Sequence, residues 1–338
     1  MSLLKALTVP SLCILFFISV NAQKSSGYNV VQTFHIPGAG GWDYLAVNDN
    51  KLYVSHGTHV NILNKNTGDS IGVILNTEGV HGIAFVKSLG KGYISDGRTN
   101  NVTVFDLTTG KTLRQIATGE NPDAIMYDDF SKKIYTCNGR SKDLSVIDPE
   151  TDRVIKTIAL GGKPETAVSD GAGKIYINIE DKSEIAAVNT NSFEIEKHWS
   201  IAPGEEPTGL AYDKKTKRLF AGCDKLLVVS DATTGKVVSK VAIGSGCDGI
   251  AFDETTNNIF ASNGEGTLSV IHENAANNYT LAENVVTKRG ARTICLDVET
   301  RRLYLPTAEF EPLAASADKR ERPKVIPGSF QVLVIEKK

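Results

Sequence analysis

Little in this 338-residue sequence points to a strongly charged partner or to a familiar catalytic motif. Lys+Arg 37 against Asp+Glu 39 leaves a net charge of −2, which argues against a dedicated nucleic-acid or membrane-surface protein. Aromatics are sparse (2 Trp, 10 Tyr, 12 Phe), and apolar stripes at helical spacing are scarce, so a helical bundle is not indicated. Beyond residue 20 no apolar run is long enough to span a bilayer. The chain has no G-x-S-x-G elbow, H-E-x-x-H pair, P-loop, dinucleotide glycine loop or C-x-x-C-H. No organic cofactor is implied, and a non-enzymatic role is favoured. Past the first 22 residues only Cys137, Cys223, Cys247 and Cys295 remain. Their spacing matches neither a metal motif nor a dense disulfide framework, and they read as small buried hydrophobes. Cys223 and Cys247 are the one pair worth testing as a disulfide.

Residues 1–22 have the pattern of a secretory signal: Lys5, an apolar stretch from Leu12 to Val20, then Val20-Asn21-Ala22 as a small-residue cleavage site. Cys13 lies inside the apolar stretch rather than after it, which disfavours a lipid anchor. The expected product is a periplasmic or secreted chain, residues 23–338, with no membrane insertion after cleavage.

The dominant feature is repetition. Asp123-Ala124-Ile125, Lys133-Ile134-Tyr135, Leu144-Ser145-Val146-Ile147-Asp148 and Val154-Ile155-Lys156-Thr157-Ile158 form one unit. Gly82-Ile83-Ala84-Phe85, Lys91-Gly92-Tyr93-Ile94, Val102-Thr103-Val104-Phe105-Asp106 and Thr112-Leu113-Arg114-Gln115-Ile116 repeat it. Units begin near residues 42, 82, 123, 165, 208, 248 and 292, at a period close to that of a propeller blade. Each holds four short alternating runs separated by turn signals such as Asp106-Leu-Thr-Thr-Gly110 and Asp231-Ala-Thr-Thr-Gly235. The expected fold is all-β: one domain, a seven-bladed β-propeller of four-stranded blades. Residues 28–36 look like a fourth strand without a blade and 330–336 like a third strand without a fourth. The N-terminal strand is therefore expected to complete the last blade.

Lys133-Ile-Tyr-Thr-Cys-Asn-Gly followed by Leu144-Ser-Val-Ile-Asp-Pro-Glu-Thr resembles the YVTN-repeat, YncE-like propeller family over essentially all of 28–338. The resemblance implies an exported seven-bladed propeller, with ligand or partner binding proposed for the family more often than catalysis. Fold alone assigns no chemistry.

In a propeller, the link into each inner strand shares a face with the loop between strands two and three. That face is expected to carry the site. Trp42, Asp43, His81, Asp123, Glu165, Asp248 and Arg292 stand at inner-strand starts. His56, Asp96, Arg98, Asn138, Arg140, Glu180 and Asn263 stand at strand-two exits. Asp123, Glu165, Asp248 and Asn263 are the candidate metal ligands, for Ca²⁺ through oxygen donors. Zn²⁺ is a weaker alternative, through His56 and His81 meeting at the channel. Asp and Asn at strand starts also simply bond neighbouring backbone. A long segment, 308–328, departs from the repeat on the same face and reads as a recognition loop or a plain surface excursion.

Three functions compete. The first is a monomeric binding module for a protein partner or small ligand in the cell envelope. The second is a metal-dependent hydrolase or lyase with His81 as the proton-transfer candidate. The third is single-stranded nucleic-acid binding, which the charge balance opposes.

Overall fold

A computed structural model describes residues 26–312 and 323–338. The proposed signal at 1–22 and the centre of the long segment lie outside the described residues.

Seven four-stranded antiparallel sheets form the structure. The third is typical: Pro122–Asp128 is innermost, then Lys133–Asn138, Asp143–Asp148 and Arg153–Ala159 pair outward in sequence order. The seventh blade is composite. Cys295–Leu296 and Leu303–Thr307 are followed by Gln331–Lys337, and Tyr28–His35 adds the outer strand. Its register runs from Tyr28 opposite Lys337 to His35 opposite Gln331. The ring thus closes by non-covalent pairing of the two ends of the chain, as expected from the unmatched strands.

A four-stranded sheet must cover both faces, and here each blade covers its neighbour. Seven apolar clusters form, one between each adjacent pair of blades. Tyr53 and Ile62 of the first blade pack with Ile94 and Phe105 of the second. Phe34 and Tyr304 of the seventh pack with Leu52 and Val54 of the first. The second strand of every blade contributes one aromatic ring to these layers: Tyr53, Tyr93, Tyr135, Tyr176, Phe220, Phe260 and Tyr304, all buried. Among the described residues no helix is long and apolar enough to cross a membrane. The four cysteines are free, with Cys137, Cys223 and Cys247 buried, so Cys223 and Cys247 do not pair.

The inner strands of the first four blades begin with an irregularity. Trp42 pairs with His56, but regular register resumes only at Leu45 and Val54, and Val80, Pro122 and Pro164 show the same slip. Such bulges re-aim the side chain that follows, here Asp43, His81, Asp123 and Glu165.

Candidate functional site

The inner-strand starts bring Asp43, His81, Asp123, Glu165, Thr208, Asp248 and Arg292 to equivalent positions at the channel mouth. Their backbone is fixed from below by strand-two side chains. The Asp43 amide donates to Ser55 Oγ (2.9 Å) and the Gly82 amide to Ser95 Oγ (2.8 Å). Other bonds cross to the next blade: Ser95 to the Asp123 carbonyl, Asn178 to the Thr208 carbonyl (3.0 Å), Ser262 to the Arg292 carbonyl, and Thr293 to the Asp43 carbonyl (2.6 Å). The ring is therefore a rigid presentation of side chains.

Its charges sort into three groups. His81 Nδ1 lies 2.7 Å from Asp43 Oδ2 and 3.7 Å from Asp123 Oδ1. Lys163 bridges Glu165 (2.6 Å) and Glu180. Arg292 Nη1 faces Asp248 Oδ2 at 3.2 Å. Burial alone would lower the His81 imidazole, but the Asp43 hydrogen bond and the charges of Asp123 and Asp43 outweigh it and push it up to about 9. Burial raises Asp123 against the opposing pull of His81, with the like charges of Asp43 and Asp248 adding to the rise. Burial and then Asp123 raise Glu165, with Lys163 opposing. Burial also raises Asp248 against Arg292. Tyr44, next to Asp43, is driven well above the usual phenol range by burial and by the surrounding carboxylates.

Above the ring lies a cavity of about 620 Å³. Trp42, Phe310, Arg289, Arg292, Asp248 and Glu180 are among its walls, so it draws on several blades and on the long segment. Phe310 is positioned by a bridge to Val325, and its ring lies 6.1 Å from Trp42. The Arg289 guanidinium stands 5.8 Å over Phe310, a cation–π arrangement. Trp42 also stacks on Phe330 at 5.4 Å. A second cavity of about 610 Å³ near Ile83, Phe85, Ile125 and Met126 also has charged walls in Lys87, Asp129 and Lys132, but none of the inner-strand starts lines it.

The expected metal set does not assemble. Glu165 is engaged by Lys163, Asp248 by Arg292, and Asn263 is fully buried within its own blade, where its amide donates to Thr267 Oγ1 and Ser269 Oγ (3.0 Å each). Asn138 does the same with Asp143 (2.6 Å) and Ser145 (2.8 Å). Asp96 is buried against Thr103. These strand-two exits staple blades and do not line the channel. His56 is also buried, its ring 4.8 Å from His59 and 4.4 Å from Phe330. The two histidines that meet are thus His56 and His59, not His56 and His81. Burial, and then the neighbouring His59, lower His56 to about 4. Arg98 and Arg140 are exposed on the rim.

Tyr44, Arg289 and Phe310 were missing from the candidate residues. Tyr44 sits in the bulge, where alternation fails. Arg289 and Phe310 lie in a link and a segment without regular counterparts in other blades.

The class of protein is thus a seven-bladed β-propeller with a charged, aromatic-walled mouth. A chain of Kuenenia stuttgartiensis hydrazine synthase superposes with a TM-score of 0.70 at 13% identity, over 86% of this chain and 95% of that one. A chain of the mitotic checkpoint complex does so with a TM-score of 0.70 at 13% identity, over 90% and 95%. At that identity the likeness shows the fold alone. No family model matches the sequence, and no curated protein matches it.

Proposed function

We propose that the chain is an exported, YncE-like propeller that acts as a binding or interaction module, with its site at the channel mouth. The propeller fold supports the general role of an interaction scaffold. The signal-like pattern of residues 1–22 and the repeated Lys-Ile-Tyr-Thr-Cys-Asn-Gly type of run support the export and family readings. The observation that carries the site is the cavity itself: a concave, partly apolar space with a few convergent polar groups is where propeller-sized scaffolds take ligands. Trp42 and Phe310 offer ring faces, and Arg289 and Arg292 offer donors that match a carboxylate or phosphate. The ligand or partner segment is accordingly one that joins an anionic group to a planar or apolar one.

Trp42 and Trp199 are the two tryptophans of the chain, and Trp199 is buried against Tyr176. A Trp199→Phe variant therefore leaves a single reporter at the mouth. Titrated with aromatic carboxylates and acidic peptides, it is expected to show a saturable fluorescence change with at least one of them. The additional change Arg289→Ala is expected to weaken that binding by at least about tenfold, the loss of one charge-assisted contact. A flat response across the panel, or binding indifferent to Arg289, would count against the reading.

A further inference from the structure

We propose that Asp43, His81 and Asp123 form a site for one divalent transition-metal ion at the channel mouth. None of the three lines the cavity described above, so this proposal stands apart from the ligand reading.

The residues start the inner strands of three consecutive blades, and one ligand atom from each lies within 4.8 Å of the other two. Ligands bound at about 2.1 Å to one ion stand roughly 3–4 Å apart, so small side-chain rotations close this set on an ion. The carriers are rigid, since the Asp43 and Asp123 backbones are tied to Ser55, Thr293 and Ser95. The imidazole is also oriented. Its Nε2 edge lies over Gly97, where a Cβ would fall only 2.7 Å from Nε2, leaving Nδ1 to face the two carboxylates.

Charge supplies an independent argument. Four carboxylates stand in the ring, and Glu165 and Asp248 each have a cationic partner in Lys163 and Arg292. Asp43 and Asp123 share only His81. Among the described residues, no hydrogen bond reaches the Asp123 carboxylate, whose nearest charge partner is His81 at 3.7 Å. A proton on His81 offsets one of the two negative charges, whereas a divalent ion offsets both. One imidazole with two carboxylates is a donor set for Zn²⁺, Mn²⁺ or Fe²⁺ rather than an all-oxygen Ca²⁺ cage. This places the metal in blades one to three, whereas Glu165, Asp248 and Asn263 are engaged elsewhere.

The test uses the purified chain stripped with a chelator, then titrated separately with Zn²⁺ and Mn²⁺ by calorimetry, with metal content measured after dialysis. One ion per chain and a higher melting temperature are expected. His81→Gln and Asp123→Asn should each weaken binding by at least about tenfold. Asp129→Asn, on an exposed turn, should leave it unchanged. A Co²⁺ adduct should show a d–d band that His81→Gln alters, and Asp43→Asn replaces Asp123→Asn if the latter loses its native circular dichroism. No saturable uptake of either ion at about 100 μM, or uptake that the ligand variants leave unchanged, overturns the assignment.

Discussion

At the end of the propeller away from the mouth, four of the seven blades copy one another, while Asn48, Val86 and Ser169 hold the same place in the other three. Asp128, Asp213, Asp253 and Asp297 stand where an inner strand turns back, and each accepts a backbone amide two or three residues on. The distances are 2.8 Å from Ser131, 2.9 Å from Lys215, 2.9 Å from Thr255 and 3.1 Å from Glu299. At the mouth the corresponding inner-strand positions hold Asp43, His81, Asp123, Glu165, Thr208, Asp248 and Arg292. The backbone is repeated at both ends, but the four turn aspartates all do one job, whereas the mouth side chains are engaged differently from blade to blade. A turn must satisfy its own amides in each blade, so its residues are constrained by folding. The ring residues are held through their backbone by hydroxyls and amides from the second strands, which frees the side chains to differ. Variation between equivalent positions is what the site proposed at the mouth requires.

The largest effect is expected where the repeat is strictest. Tyr135 fills the layer between the third and fourth blades and bonds Ser131 Oγ at 3.0 Å. Truncation in Tyr135→Ala removes a fully buried ring and should cost about 3–5 kcal/mol, read as a lower urea midpoint with little change in slope. A loss under about 1 kcal/mol would break the comparison, because the repeated position would then not be structural.

A smaller effect, of opposite sign, is expected at a strand-two exit. Asp96 occupies the place that Asn138 and Asn263 hold in the third and sixth blades. Burial raises its carboxyl to about 7, against Thr103 and the charge of His81, with Glu78 adding to the rise. One Asp96 oxygen and the Asn101 side-chain oxygen are buried without partners. Asn101 and Thr103 correspond to Asp143 and Ser145, the acceptors of the Asn138 amide. An amide at 96 would thus meet two acceptors already in place. The sign follows from linkage: folding favours the protonated acid, so its stability is full below the unfolded value near pH 4 and is lost as pH rises to about 7. Asp96→Asn should remove that decline and stabilise the protein by about 2 kcal/mol at pH 8. Urea unfolding of both proteins at acidic and alkaline pH checks it. Equal pH slopes would move Asp96 out of the staple class.

These exits also show where the sequence stops being readable. The blade count, the closing strands at both ends and the seven ring positions followed from period and alternation, which are local properties. His56, Asp96, Asn138 and Asn263 were expected to face the channel because they precede loops on that side. Their direction is set by the bulge in the neighbouring inner strand and by hydroxyls such as Thr103, Ser145 and Ser269 one strand further out. No one-dimensional pattern carries that information. The pairing of Asp248 with Arg292 likewise depends on how the sixth blade packs on the seventh, and that of Glu165 with Lys163, two residues away, on side-chain rotamers.

The smallest stability effect is expected on the rim, where the comparison can be made most finely. Arg98, Arg140 and Glu265 occupy the same turn in the second, third and sixth blades. Each donates its amide across the mouth-side link, to Glu78 (3.1 Å), Glu120 (3.1 Å) and Ser245 (3.2 Å). The backbone bond is common to all three while the charge changes sign, so these side chains belong to the varied class although their turn belongs to the repeated one. Replacing both arginines in Arg98→Ala/Arg140→Ala keeps the amide bonds and should change unfolding free energy by less than about 0.5 kcal/mol. It removes two positive charges from the approach to the cavity, so association of an acidic peptide at low salt should slow, with a flatter salt dependence. Stopped-flow fluorescence of the Trp199→Phe form measures the rate, and denaturation measures the stability. A stability loss above about 1 kcal/mol would assign the arginines to the scaffold. Unchanged stability with a slower rate would place the rim with the ring, as surface that the fold holds in position and leaves free for recognition.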